Sequence, residues 1–96
     1  MKIFISDQAD ADLLQIDRYL TERNPAAADA LIRDIDRKLE NLTRFPFIGR
    51  DRSILVQGLR SILTGPYVIF YAVEADRIII VRVLDGRRDI DAEFQR

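Results

Sequence analysis

The chain has 96 residues, 48% hydrophobic and 32% charged, which suits one globular domain with one modest core and argues against disorder. It contains no Cys and no His, which excludes disulfides, thiol chemistry and Cys-based zinc sites and removes the commonest general base and metal ligand. The formal net charge of −1 lacks the positive excess typical of proteins that cling to nucleic acid by counterion release.

Lys2–Ile5 reads as a short N-terminal strand. Ser6 is a helix N-cap, and Asp7 and Asp10 suit the positive end of the helix that follows. Ala9, Leu13, Ile16 and Leu20 recur at helical spacing along one stripe. Asp7, Asp10 and Asp12 fall where a signal peptide would need to stay apolar, and no apolar run approaches the roughly 20 residues of a membrane span. The cytoplasm is the expected location.

Pro25 disfavours helix at Asn24, so the first helix stops near Arg23, and Asn24-Pro25 caps and opens a second. Ala28, Leu31, Ile32, Ile35, Leu39 and Leu42 form its stripe. So short a connection predicts an antiparallel helical hairpin. Phe45–Arg50 is apolar but interrupted by Pro46 and Gly49, and reads as a loop that tucks its aromatics under the sheet. The segment 44–60 carries Arg44, Arg50, Arg52 and Arg60 against Asp51 alone, so it is locally basic.

Three strands complete the chain: one from Gly58 to Leu63, a second from Tyr67 to Val73, and a third from Arg77 along Ile78–Val81, Val83 and Leu84. Gly65-Pro66 and Ala75-Asp76 turn between them, which predicts an antiparallel meander. The tail Asp89–Arg96 is expected to form a helical turn or two, or to fray. The fold class is therefore α+β, with the helical hairpin packed on one face of the sheet.

Two-residue loops place Arg60 opposite Tyr71, Tyr71 opposite Ile80 and Ile69 opposite Arg82. One face would then carry Arg60, Ile62, Ile69, Tyr71, Ile80 and Arg82. The other, with Leu59, Leu63, Val68, Phe70, Ile79, Val81 and Val83, is the more hydrophobic and is expected to receive the hairpin. Arg82 interrupts an otherwise apolar strand, at a cost unless it reaches water or a partner. Arg60 and Arg82 can pair with acids along the sheet edge, or form an open recognition patch for phosphate or carboxylate.

The order of these features resembles the ParE branch of the RelE/ParE toxins. The resemblance runs through Ala9, Leu13, Ile16 and Tyr19, then Asn24-Pro25, Leu42, Pro46 and Gly49-Arg50. It continues through Gly58-Leu59-Arg60, Tyr67, Tyr71 and the stretch from Arg82 to Asp89. Asp85 stands where the family often has His. The resemblance implies a β-α-α-β-β-β fold and a toxin of a bacterial type II toxin–antitoxin pair. Its partner would be a ParD-like antitoxin wrapping the toxin, and its target DNA gyrase, as against mRNA in the ribosome for the RelE branch.

RNA cleavage needs a base for the 2′-hydroxyl and an acid for the leaving oxygen. Here the lysines are Lys2 and Lys38, His is absent, and Tyr71 is the one candidate acid. The expectation is a non-catalytic inhibitor without metal or cofactor, whose contact with DNA is indirect, through antitoxin or gyrase. The alternatives are a ribosome-dependent RNase and an inactive homologue that only binds antitoxin. Expected target-binding residues are Arg50, Arg60, Tyr71, Arg82, Arg87 and Arg88. Expected antitoxin-binding residues are Leu13, Ile16, Tyr19, Leu20, Arg60 and Arg82.

Overall fold

A computed structural model describes residues 1–95; Arg96, the last residue of the predicted tail, lies outside the described residues. The order is β1 (Lys2–Ile5), α1 (Asp7–Arg23), α2 (Pro25–Arg44), β2 (Arg50–Asp51), β3 (Leu59–Thr64), β4 (Tyr67–Glu74), β5 (Arg77–Asp85) and α3 (Ile90–Phe94). This is the expected α+β architecture with two additions. A two-residue edge strand, β2, precedes the meander, and β1 joins the sheet parallel to β5. The five strands lie in the order β1-β5-β4-β3-β2. Among the described residues, no helix is long and apolar enough to cross a membrane.

Local chemistry sets the element ends. The Ser6 hydroxyl accepts a 3.0 Å bond from the Ala9 N–H and donates to the Val81 carbonyl at 2.9 Å, so it caps α1 and ties it to β5. The Asn24 side chain accepts from the Ala27 N–H at 3.2 Å, with Pro25 as the first residue of α2. Gly65, in the turn before β4, has φ 56°, a conformation glycine adopts without a Cβ clash. Thr64 faces Tyr67 and Glu74 faces Arg77, as two-residue loops require.

The meander departs from the expected pairing at one point. Between Phe70 and Tyr71 the register shifts, so Phe70 faces Arg82 while Tyr71 faces Ile80. Val81 is the extra residue, and Ile69 consequently faces Val83 and not Arg82.

The face assignment is also corrected. The helical hairpin packs on Ile69, Tyr71, Ile78, Ile80 and Val83, with Ala9, Ile35 and Leu42 contributed from the helices. The opposite face gathers Leu59, Val68, Phe70 and Leu84 under Leu55, Ile90 and Phe94. Phe94 meets Phe70 edge-on with ring centroids 4.9 Å apart. Both faces are thus covered, one by two long helices and the other by a single-turn helix and a loop.

The segment 45–49 does not tuck its aromatics under the sheet. Phe45, Phe47 and Ile48 are all more than half exposed. Tyr71, fully buried, occupies the space beneath: its hydroxyl donates to the Pro46 carbonyl at 2.8 Å and accepts from the Gly49 N–H at 2.9 Å. A Cβ on Gly49 would lie 2.5 Å from that hydroxyl and 2.9 Å from the Ser61 carbonyl, so the close approach demands glycine. Tyr71→Phe strands the buried Gly49 N–H. It is expected to destabilise the protein by about 1–3 kcal/mol in urea unfolding, with an unchanged m-value.

Candidate functional site

The C-terminal half of α1 stands over the end of β5 and the turn between β3 and β4. Between them opens a cleft of about 610 Å³. Ile16, Tyr19 and Leu20 form its helical wall; Tyr67, Val83 and Asp85 form its sheet wall; Arg87 and Arg88 stand at the rim. It therefore unites three of the residues expected to meet an antitoxin with two of those expected to meet a target.

Ile16 and Leu20 also line a second groove, of about 260 Å³, between α1 and α2. Leu13, Leu31 and Leu39 line its floor and walls, with Asp10, Asp17 and Asp36 among its lining residues. Leu13 and Ile16 also pack against the core cluster, so their burial has a structural role. Tyr19 is more than half exposed, and the Arg23 guanidinium lies 3.7 Å from its ring centroid, a cation–π contact that holds the ring outward.

Asp85 organises the rim. It accepts from Arg87 at Nε (3.1 Å) and Nη2 (2.8 Å), and from the Arg87 N–H at 2.9 Å. These bonds hold its carboxyl at about 2, against an ordinary value of 3.8. The Arg87 side chain is still 87% exposed, so its charge faces solvent while its orientation is fixed. Arg88 pairs with Glu93 on α3. At the cleft's sheet wall, burial first and then the nearby Asp85 push the Tyr67 phenol above its usual range.

Because the Asp85 value is depressed in the fold, its contribution to stability is complete above the unfolded carboxylate value and is lost as pH falls through about 2. Asp34, lowered first by the Thr64 hydroxyl and then by Arg37, and Asp51, lowered by Ser53, act in the same direction. The melting temperature is expected to be flat near neutrality and to fall below about pH 4. Asp85→Asn should flatten part of that acid limb in thermal scans; an unchanged limb would remove Asp85 as a contributor.

Arg82 and Arg60 do not project from an uncovered sheet. The Arg82 side chain, 11% exposed, donates to Asp12 on α1 through Nε (2.8 Å) and Nη2 (3.0 Å), and to Glu93 on α3 through Nη1 (3.3 Å). Asp12 also accepts from the Val83 N–H at 3.0 Å. Arg60 donates to the carbonyls of Phe47 (3.1 Å) and Gly49 (2.9 Å), 5.2 Å from the Phe47 ring centroid. Tyr71 lies beneath the loop, inaccessible. Arg50 is exposed on β2, at the far edge of the sheet from β1.

The residues that sequence reasoning missed are Asp12 and Glu93. A signal for Asp12 existed: an arginine inside an apolar strand needs a carboxylate, and Asp12 directly precedes the helical stripe residue Leu13. No spacing rule singled out Glu93, which reaches Arg82 from α3.

Chemically, the cleft presents cations, an aromatic rim and fixed carboxylates. Tyr71 cannot deliver a proton to a bound molecule, because its hydroxyl is enclosed and its pKa is raised by burial. Among the described residues, no group of three or more acidic side chains could hold a metal ion.

Residues 3–90 match the family described as ParE toxin of type II toxin-antitoxin system, parDE. The chain is 35% identical over 84 residues to Toxin ParE3 of Caulobacter vibrioides, a match covering 86% of this chain and 84% of that protein. Among solved structures it resembles a chain titled "Chromosomal ParDE TA system from P. aeruginosa", with a TM-score of 0.74 and 24% identity. That superposition covers 88% of this chain and 95% of the other, and shows a shared fold.

Proposed function

The chain belongs to the ParE family of toxins from type II toxin–antitoxin systems, and we propose that it inhibits DNA gyrase by binding, with a ParD-like antitoxin as the partner that restrains it. The observation that carries this reading is the division of labour among its arginines and tyrosines. Arg82 and Tyr71, the pair that RNA chemistry would require, are consumed by the fold. Arg87 and Tyr19 remain exposed along one cleft. Cations and an aromatic ring on one open surface support binding as its role.

The same cleft supports the antitoxin assignment. Ile16 and Leu20 join it to the apolar groove between α1 and α2, so one helical segment can cover both. An antitoxin seated there would meet Arg87 and Arg88 and exclude the target by occupying its contact surface. Arg50 belongs to a different edge of the molecule.

Purified protein added to a gyrase supercoiling assay is expected to inhibit at micromolar concentration, with inhibition relieved by the cognate antitoxin. No inhibition at that concentration would overturn the gyrase reading. Codon-phased mRNA cuts in a translating extract would replace it with ribosome-dependent cleavage. Normal growth on induction without antitoxin would indicate an inactive homologue.

A further inference from the structure

The two arginines at the rim of the cleft are anchored in different ways. Arg87 is held within its own turn, by Asp85 two residues before it. Arg88 takes its side-chain partner from α3: its Nη2 donates to one oxygen of Glu93. The other oxygen of that carboxylate accepts from Arg82 Nη1 at 3.3 Å. One carboxylate thus joins a guanidinium side chain that is 11% exposed to one that is 49% exposed. The series Asp12, Arg82, Glu93, Arg88 runs from α1 through β5 and α3 to the cleft.

Stability gives little reason for this bridge. Arg82 is already held by two shorter bonds to Asp12, of 2.8 and 3.0 Å. α3 is seated without Glu93: Phe94 lies against Phe70, Ile90 packs on the same cluster, and the Asp89 side chain accepts from the Ala92 N–H at 3.2 Å. The pair with Arg88 is partly open to solvent, where ion pairs contribute little. What the bridge does is restrict Arg88. A long side chain that is free before binding gives up rotamer freedom when it docks, and one already held does not. Among the described residues, Arg88 commits one of its five side-chain N–H donors to Glu93, and the others stay open for a ligand. Glu93 also partly neutralises Arg88, but salt screens that effect between exposed charges and leaves orientation untouched.

We propose that Glu93 is a positioning residue for target binding: anchored on the buried Arg82, it holds the Arg88 guanidinium at the cleft, ready for a carboxylate of the protein that docks there. This rests on the reading of the cleft as the target surface. It gives α3 a task beyond covering the sheet. It also makes the two rim arginines unequal: Arg87 takes its orientation from its own turn, and Arg88 keeps its orientation only while α3 is in place.

The test substitutes Glu93→Gln, which keeps the size of the side chain but leaves one oxygen where two guanidinium groups need one each. Half-inhibition of purified gyrase at physiological salt is expected to need about three- to tenfold more protein, with the melting temperature little changed. In an Arg88→Ala background the same substitution should add nothing. Unchanged half-inhibition by Glu93→Gln overturns the proposal. So does a loss that persists without Arg88, because Glu93 would then act through Arg82 and the fold. NMR of the guanidinium groups in the free protein needs no target. Arg88 is expected to rotate slowly in the wild type and freely in Glu93→Gln, with Arg87 the same in both. Free rotation of Arg88 in the wild type overturns the proposal. A wild-type protein that fails to inhibit gyrase overturns the target reading alone, and the NMR measurement still decides whether Glu93 positions Arg88.

Discussion

Asp12→Ala is expected to destabilise the protein by about 3–5 kcal/mol, because it leaves the Arg82 guanidinium without its main partner in a site that is 11% exposed. Asp12 holds two Arg82 nitrogens and the Val83 N–H, so one truncation removes three bonds that join α1 to β5. The Arg82 guanidinium is held firmly protonated, first by the bond to Asp12, against the opposing effect of burial. It cannot escape the loss by giving up its proton. For a domain of this size each kcal/mol lowers the melting temperature by roughly 4–8 °C, so a large fraction of a marginal stability is at stake.

Arg82→Met in the Asp12→Ala background should recover much of the loss, since an apolar pair of similar bulk needs no ion partner. Urea unfolding of the four proteins in the cycle yields the coupling directly. A double variant no more stable than Asp12→Ala would show that the pair is not the origin of the effect.

Charge reversal of both Arg87 and Arg88 is expected to raise the concentration needed for half-inhibition of gyrase, the proposed target, by roughly a hundredfold or more, because it sets two anions where two cations would meet an acidic surface. The melting temperature should move little. Arg87 is solvent-facing and its pair with Asp85 is a surface one, and Arg88 meets Glu93 at the surface. This separates the pair from Arg82, whose loss would reduce activity by unfolding the protein. Arg87→Lys and Arg88→Lys keep the charge but lose the planar fork, and should fall between wild type and the reversal. Full inhibition by the doubly reversed protein would place target recognition outside the cleft.

Much of the scaffold was legible because its boundaries rest on short-range chemistry. Ser6, Asn24-Pro25 and Gly65-Pro66 each act on backbone groups a few residues away, and the elements begin and end where they direct. The placement of Arg60 and Arg82 was not legible, for two physical reasons. First, both faces of the sheet are apolar, so alternation could not decide which one receives the hairpin; the choice depends on how five residues of α3 and a loop close the other side. Second, a bulge adds one residue without any Gly or Pro to announce it, and Val81 shifts every later partner in β5 by one.

The error changed the meaning of the residues involved. The sequence leaves Arg82 between an ion pair and an open recognition patch, and the structure decides for the ion pair, with partners from residues 12 and 93. Tyr71 was read as a surface phenol and is a buried strut. Arg87 and Arg88 follow Gly86, beyond the strand's end, where no ladder register governs them, and they remain at the surface.

The parallel pairing of β1 with β5 joins Ile5 to Ile80, the first strand of the chain to the last. During synthesis the amino-terminal strand is therefore an unmatched ribbon until the segment from Arg77 to Ile80 has left the ribosome. Such distant closure is slow relative to local pairing. No partial product that stops short of Ile80 can complete the sheet.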